Sequence, residues 1–118
     1  MPRRYHTLEL TERQWQAQIV KAAEAVGWLC YHTYDSRRSQ KGFPDLVLVK
    51  APVIIFAELK VKPADVKAGK LTLEQDTWVR ALAECSNLNL KVFVWRPNDW
   101  PEVERVLKGE SRVREEIA

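Results

Sequence analysis

GFPDLVLVKAPVIIFAELKVK, residues 42–62, contains two apolar runs separated by an Ala-Pro step. Each run is short and rich in branched apolar residues, and the Ala-Pro step interrupts the pattern, so the stretch predicts two strands, 45–50 and 53–61. We expect them to form an antiparallel hairpin. Both runs are apolar at consecutive positions, which is typical of strands in the interior of a sheet. This hairpin is the centre of the predicted fold.

The sequence on either side of the hairpin predicts helices and two further strands. Thr11 and Thr72 each stand three residues before a glutamine, as in a helix capping box, and apolar residues follow at helical spacing. The further predicted elements are helices at about 12–26 and 72–85, strands at 28–34 and 90–95, and a last helix between Asp99 and Gly109. The order αβββαβα indicates an α/β fold with a mixed β-sheet flanked by helices, because the last strand is reached through a helical crossover.

Length and composition limit the class of protein. The 118 residues, 46% of them hydrophobic, are enough for a single domain spanning 1–118 with one core. No stretch reaches the roughly 18 apolar residues of a membrane helix, and the N-terminus lacks the apolar run of a signal peptide. We therefore expect no membrane association and a cytoplasmic protein. Cys30 and Cys85 have no CxxC partner and are expected in the core.

Basic residues are concentrated around the hairpin, although the net charge is only +3. Such clustering suits a polyanion lying across this surface, whereas the alternative is a pair of solvated loops. The residues concerned are Arg37, Arg38, Lys41, Lys60, Lys62, Lys67 and Lys70.

Two carboxylates face each other in the predicted hairpin. If the turn lies at the Ala-Pro step, Asp45 pairs with Glu58, and like charges directly opposite are destabilising unless something compensates. Strand alternation places Lys60 on the face of Glu58, while Leu59 points away and leaves its backbone carbonyl near the same place. Two carboxylates and a carbonyl suit a hard divalent cation, Mg²⁺ or Mn²⁺. A register slip of one residue would separate these groups.

The ammonium beside the carboxylates suits phosphodiester hydrolysis. Lys60 can orient the attacking water, act on it as a base, or stabilise negative charge in the transition state. The alternative is that Asp45, Glu58 and Lys60 form a surface ion-pair cluster where the strands end. The apolar runs argue for the first interpretation, because they place these charges beside a core.

The same residues match a known pattern. Pro44-Asp45 followed, after twelve intervening residues, by Glu58-Leu59-Lys60 resembles the PD-(D/E)xK nuclease motif. Five phrases in order resemble the virus-type replication-repair nuclease (VRR-NUC) branch over about residues 11–100. They are GW (27–28), YHTYDSRRSQKGFPDLVLV (31–49), FAELK (56–60), LTLEQ (71–75) and VFVWRPNDW (92–100).

The resemblance implies a restriction-endonuclease-like core and metal-dependent hydrolysis of DNA. It makes Asp45 and Glu58 metal ligands, with the Leu59 carbonyl, and makes Lys60 the water-activating or charge-stabilising residue. Small members of the branch imply a homodimer acting on branched DNA such as Holliday junctions. A role in DNA repair, in the cytoplasm of a bacterium or of a phage-infected host, would follow.

The resemblance also implicates residues outside the hairpin. Gln75 matches the glutamine that follows the ExK strand, and its helix stripe should turn it toward the strand ends, although it also suits the capping box. In the first helix either Glu12 or Gln16 serves the site. Related resolvases have a glutamate at about the place of Gln16, while Glu12 alternatively interacts with the helix dipole. The candidate DNA contacts are His32, Ser36, Arg37, Arg38, Ser39, Lys41 and Lys62.

Two other functions stay open at the level of sequence. A general or restriction-like nuclease acting on duplex or flap DNA would use the same residues, but the short chain has no obvious additional sequence-reading element. The second alternative is a non-catalytic module that binds DNA structure. In such a module we would expect a broken carboxylate pair, whereas Asp45, Glu58 and Lys60 are all present.

Overall fold

The computed structural model of the chain describes residues 10–33 and 40–110. Its helices are α1 (Glu12–Ala25), α2 (Leu73–Glu84) and α3 (Trp100–Leu107), and its strands are β1 (Leu29–His32), β2 (Leu46–Lys50), β3 (Val53–Leu59) and β4 (Leu90–Trp95). Short 3₁₀ turns precede α2 and α3. The predicted order αβββαβα is confirmed, with bounds shifted by one or two residues. The predicted end of the first strand, at position 34, lies outside the described residues.

The four strands form one mixed sheet in the order β1-β2-β3-β4. The pairs β1–β2 and β2–β3 are antiparallel, and β4 runs parallel to β3 after the α2 crossover. In the hairpin, Lys50 pairs with Val53 and Leu46 pairs with Ala57, so the register predicted from the Ala-Pro step is confirmed. Continuing this register by one residue places Asp45 opposite Glu58.

The core lies between one face of the sheet and the helices α1 and α3. Alternate residues of the central strands are fully buried there, and each buried aliphatic side chain contributes on the order of 2 kcal/mol. Two indoles also bond across this layer: Trp15 Nε1 donates to the carbonyl of Trp95 at 3.0 Å, and Trp28 Nε1 donates to the carbonyl of Leu107 at 2.8 Å. The strand residues of the core include Leu46, Leu48, Ile55, Ala57 and Leu59.

The opposite face of the sheet is covered only in part. Helix α2 contacts β3 and β4, where Phe43 packs edge-on against Phe56 and Trp78, with ring centroids 6.1 and 5.0 Å apart. Over β1 and β2 the described residues leave this face open, and Leu29 and Tyr31 are 73% and 59% exposed. The central strands are therefore interior strands, as their apolar runs predict, but burial on both faces does not extend to the β1 edge.

One cysteine departs from the predicted core. Cys30 is half-buried, but Cys85 is exposed, so its predicted place in the core is wrong. Cys85 is the residue that caps the C-terminus of α2, a helix of which no residue is fully buried. Within residues 10–33 and 40–110, no helix is long and apolar enough to cross a membrane.

Gly42 lets the connection before β2 approach the start of α2. Its φ is +86°, and a Cβ at this position would lie 2.4 Å from the carbonyl carbon of Glu74 and 2.5 Å from its oxygen. No side-chain rotation relieves an overlap with backbone atoms. A larger residue would have to move the first turn of α2, which carries Gln75.

Replacing Gly42 by alanine is expected to lower the free energy of unfolding by about 3 kcal/mol, through left-handed backbone strain of about 1 kcal/mol and the overlap with Glu74. Gly109 is the matched control, because its φ is +78° and a Cβ there meets no atom of the described residues within 4 Å. Gly109→Ala should cost only the strain of about 1 kcal/mol. Urea unfolding of both variants measures the difference, and equal losses would contradict the packing role of Gly42.

Candidate active site

Three carboxylates meet where the hairpin strands end. Asp45 immediately precedes β2, Glu58 is the next-to-last residue of β3, and Glu12 is the first residue of α1. Asp45 lies within hydrogen-bonding reach of both other carboxyl groups when a proton is shared. Asp45 Oδ2 also accepts the backbone N–H of Leu59 at 2.9 Å. The structure thus brings together the pair predicted from the hairpin, and it adds Glu12 by direct contact.

Glu58 is the most buried member of the cluster, with 1% of its surface exposed. Its Oε2 accepts a hydrogen bond from Gln75 Nε2 at 2.8 Å, whereas Oε1 is buried and has no hydrogen-bond donor among the described residues. Toward Asp45, two acceptors face each other unless a proton lies between them. A buried carboxylate oxygen without a donor costs free energy comparable to a lost charged hydrogen bond. Glu58 therefore needs either a proton or a cation.

Burial raises the pKa values of all three carboxyl groups, and the charge of Asp45 raises those of Glu58 and Glu12 further. For Glu58, burial is the larger cause and the charge of Asp45 the second, and together they raise its pKa from 4.5 to about 8. Burial also raises the pKa of Asp45, although the N–H of Leu59 acts in the opposite direction. The pKa of Glu12 is raised by partial desolvation and by the charge of Asp45, although the residue as a whole is exposed. Without a cation, the cluster retains a proton at neutral pH.

Leu59 and Lys60 directly follow Glu58 where β3 ends. The charge of Lys60 lowers the pKa of each carboxyl group, as an ammonium near the cluster would. The backbone of Lys60 is fixed by its N–H, which donates to the carbonyl of Trp95 at 3.1 Å. The N–H and C=O of one strand residue point to the same side. Since the Leu59 N–H points at Asp45, its carbonyl faces that side too.

Gln75 combines the two roles that the sequence suggests. It is the third residue of α2, and its Oε1 accepts the backbone N–H of Thr72 at 2.9 Å, which completes the capping box. Its Nε2 donates to Glu58 Oε2. The two roles are compatible because the acceptor end and the donor end of the amide serve different partners.

A groove of about 990 Å³ extends away from the cluster. One wall is α1, and the other consists of the end of β1, residues 40–43 and the first turn of α2. Gln16 lies one helical turn after Glu12 and lines this groove, but it is Glu12 that contacts Asp45. His32 and Lys41, two of the predicted DNA contacts, also line the groove.

Of the other predicted DNA contacts, only Lys62 lies among the described residues. Ser36, Arg37, Arg38 and Ser39 lie outside the described residues. Lys62 is exposed in the segment between β3 and α2, and it is not part of the groove lining.

Arg96 organises this segment, although no sequence pattern predicts this role. Arg96 Nε donates to the carbonyl of Lys62 at 3.2 Å, and Arg96 Nη2 donates to the carbonyl of Gly69 at 2.6 Å. Gly69 is required here, because a Cβ would lie 1.9 Å from the carbonyl oxygen of Pro63. No local pattern signals these bonds, since the partners are backbone carbonyls 27 and 34 residues away.

Among the described residues, no group of three or more His, Cys, Asp or Glu side chains is arranged to hold a metal ion. The ligand set predicted from sequence is smaller, consisting of Asp45, Glu58 and one backbone carbonyl. Comparison of the chain with models of protein families, with curated proteins and with solved structures finds no match.

Proposed function

We propose that the protein is a Mg²⁺- or Mn²⁺-dependent DNA nuclease that hydrolyses phosphodiester bonds. The observation that carries this proposal is the environment of Glu58: a buried carboxylate, opposite Asp45 and near Lys60, with one oxygen that no described residue supplies with a donor. A purely structural cluster would gain from replacing such a group by an apolar side chain. A cation-binding site, in contrast, requires an acceptor oxygen that no donor occupies.

The residues around Glu58 fit a hard divalent cation. Mg²⁺ is commonly held by one or two carboxylates and several waters, so Asp45, Glu58 and the Leu59 carbonyl make a sufficient protein contribution. When bound, such an ion supplies Lewis acidity, which lowers the pKa of water and stabilises charge on phosphate oxygens. Asp45 and Glu58 would hold it in their ionised forms, which mutual repulsion otherwise disfavours.

Lys60 supplies the other charge that the reaction needs. Its ammonium can hold the negative charge that develops on the phosphate oxygens, or it can orient the attacking water. Electrostatic stabilisation of this kind is stronger beside a buried group than in open solvent. Gln75 keeps Glu58 in place, and the groove along α1 offers a path for the DNA strand past the carboxylates.

We further propose that the fold is a restriction-endonuclease-like core of the VRR-NUC branch. The four-stranded mixed sheet, the helix before it and the α2 crossover are compatible with such a core. The resemblance of the motifs then leads us to propose a homodimer, acting on branched DNA such as Holliday junctions in repair. Light scattering that gave only the 13.7 kDa monomer at micromolar concentration would contradict the dimer.

Cleavage of end-labelled DNA tests the proposed function. Four-way junction, flap, single-stranded and duplex substrates are incubated with Mg²⁺, Mn²⁺ or EDTA, and cutting is expected only with a divalent cation and fastest on the junction. Equal cutting of plain duplex would indicate a general nuclease. Binding of the junction with no cutting in either metal would indicate a non-catalytic module.

A further inference from the structure

The amide of Gln75 has only one orientation compatible with its neighbours. Oε1 accepts the N–H of Thr72 at 2.9 Å, and Nε2 donates to Glu58 Oε2 at 2.8 Å. If the amide were flipped, its NH₂ would face an N–H donor and its oxygen would face a carboxylate, so both contacts would become repulsive. Thr72 also holds the backbone of Gln75, because Thr72 Oγ1 accepts the N–H of Gln75 at 3.1 Å.

These bonds form a chain from the start of α2 to the buried carboxylate. Thr72 fixes the backbone and the amide of Gln75, and Gln75 occupies Oε2 of Glu58. The other oxygen, Oε1, then has no donor in the part of the chain that the structure describes. We propose that Thr72 is a positioning residue, which acts through Gln75 to present Glu58 Oε1 to a divalent cation. This inference rests on the proposed function, because it specifies how the proposed cation site is assembled.

The chain contains a second capping box that serves as a matched control. At the start of α1, the Thr11 N–H donates to Gln14 Oε1 at 2.9 Å, and the Gln14 N–H donates to Thr11 Oγ1 at 3.0 Å. The two boxes thus have the same residue types and nearly the same distances. Gln14 is exposed, whereas Gln75 is half-buried against Glu58. A purely structural cap predicts similar effects for equivalent substitutions in the two boxes.

The affinity for Mn²⁺ alone is the first test, measured by electron paramagnetic resonance of the free ion. Thr72→Val removes the hydroxyl and is expected to weaken Mn²⁺ binding about fivefold, the equivalent of one lost helix cap. Thr72→Ser should restore the parental affinity. Gln14→Met is the control and should leave the affinity for Mn²⁺ unchanged. It is preferred to a substitution of Thr11, because Thr11 adjoins Glu12. Equal affinity of Thr72→Val and the parent would overturn the proposal.

A double-mutant cycle tests whether Thr72 acts through Gln75. Gln75→Met removes the donor to Glu58 and is expected to weaken Mn²⁺ binding by about tenfold, the loss of one hydrogen bond to a charged group. In the Gln75→Met background, Thr72→Val should cause no further loss of Mn²⁺ affinity, because the hydrogen bond that links Gln75 to Glu58 is already absent. Independent, multiplying losses would instead mean that Thr72 acts by another route.

A measurement without metal separates failure of this inference from failure of the proposed function. In the NMR spectrum of the metal-free parent, the side-chain NH₂ of Gln75 is expected to exchange slowly with solvent, because one proton is bonded to Glu58. Thr72→Val should accelerate this exchange at least severalfold, whereas Gln14→Met should not change it. Accelerated exchange in Thr72→Val would support the role of Thr72 in fixing Gln75, even if the parent bound no Mn²⁺. Unchanged exchange would overturn that role.

Discussion

Replacing Glu58 by glutamine or Lys60 by methionine is expected to reduce metal-dependent cleavage by at least about 10³-fold, the scale of losing one group that stabilises transition-state charge. Glu58→Gln keeps the size of the side chain but removes the anionic oxygen that would face the cation. Lys60→Met keeps the apolar stem and removes the ammonium near the three carboxylates. Initial rates on the preferred end-labelled substrate, at saturating Mg²⁺ and Mn²⁺, measure both losses.

The controls for these substitutions lie elsewhere on the surface. Glu84→Gln changes an exposed glutamate at the end of α2, and Lys108→Met changes an exposed lysine directly after α3. Both control variants should keep at least half of the parental cleavage rate. Full activity of Glu58→Gln or Lys60→Met would remove that residue from the reaction.

The metal-free protein is expected to lose stability as the pH rises from 5 to about 8.5. Glu58 has a pKa of about 8 in the folded chain, against 4.5 for an ordinary glutamate. Between these values the folded chain keeps a proton that the unfolded chain releases, so the free energy of unfolding falls with increasing pH. The loss is on the order of 3 kcal/mol, or about 10 °C in melting temperature. The raised pKa values of Asp45 and Glu12 act in the same direction.

Thermal melts in EDTA across this pH range measure the effect. Glu58→Gln cannot release a proton at this position, so its melting temperature should vary much less and should exceed that of the parent at pH 8.5. Glu84→Gln is the control and should show the parental pH dependence. A parental melting temperature that stayed level or increased between pH 5 and 8.5 would mean that Glu58 is ionised in the folded protein.

Much of the candidate site could be predicted because its central geometry is local. The Ala-Pro step separates two short apolar runs, which leaves little freedom in the pairing of β2 and β3. Once Lys50 pairs with Val53, the alternation of strand residues places Asp45 opposite Glu58 and directs Leu59 into the core. Gln75 was also predicted to face the strand ends, because helical spacing places it on the apolar stripe of α2.

Other features depend on which distant segments meet. The choice between Glu12 and Gln16 could not be made from spacing, because both lie on one side of α1 and only the packing angle of that helix brings Glu12 to Asp45. The place of Cys85 was predicted wrongly, since α2 covers the sheet less closely than its apolar stripe suggests. The role of Arg96 could not be predicted from the sequence, because its hydrogen-bond partners are backbone carbonyls in a distant segment.

The sequence alone determined the order of elements, the hairpin register and the meeting of Asp45 with Glu58, since each follows from neighbouring residues through the periods of strand and helix. The tertiary structure decided which oxygens have donors, how deeply Glu58 is buried and which residue of α1 joins the cluster. Desolvation and charge repulsion depend on every group packed around a site, so the raised pKa of Glu58 follows from the packed fold.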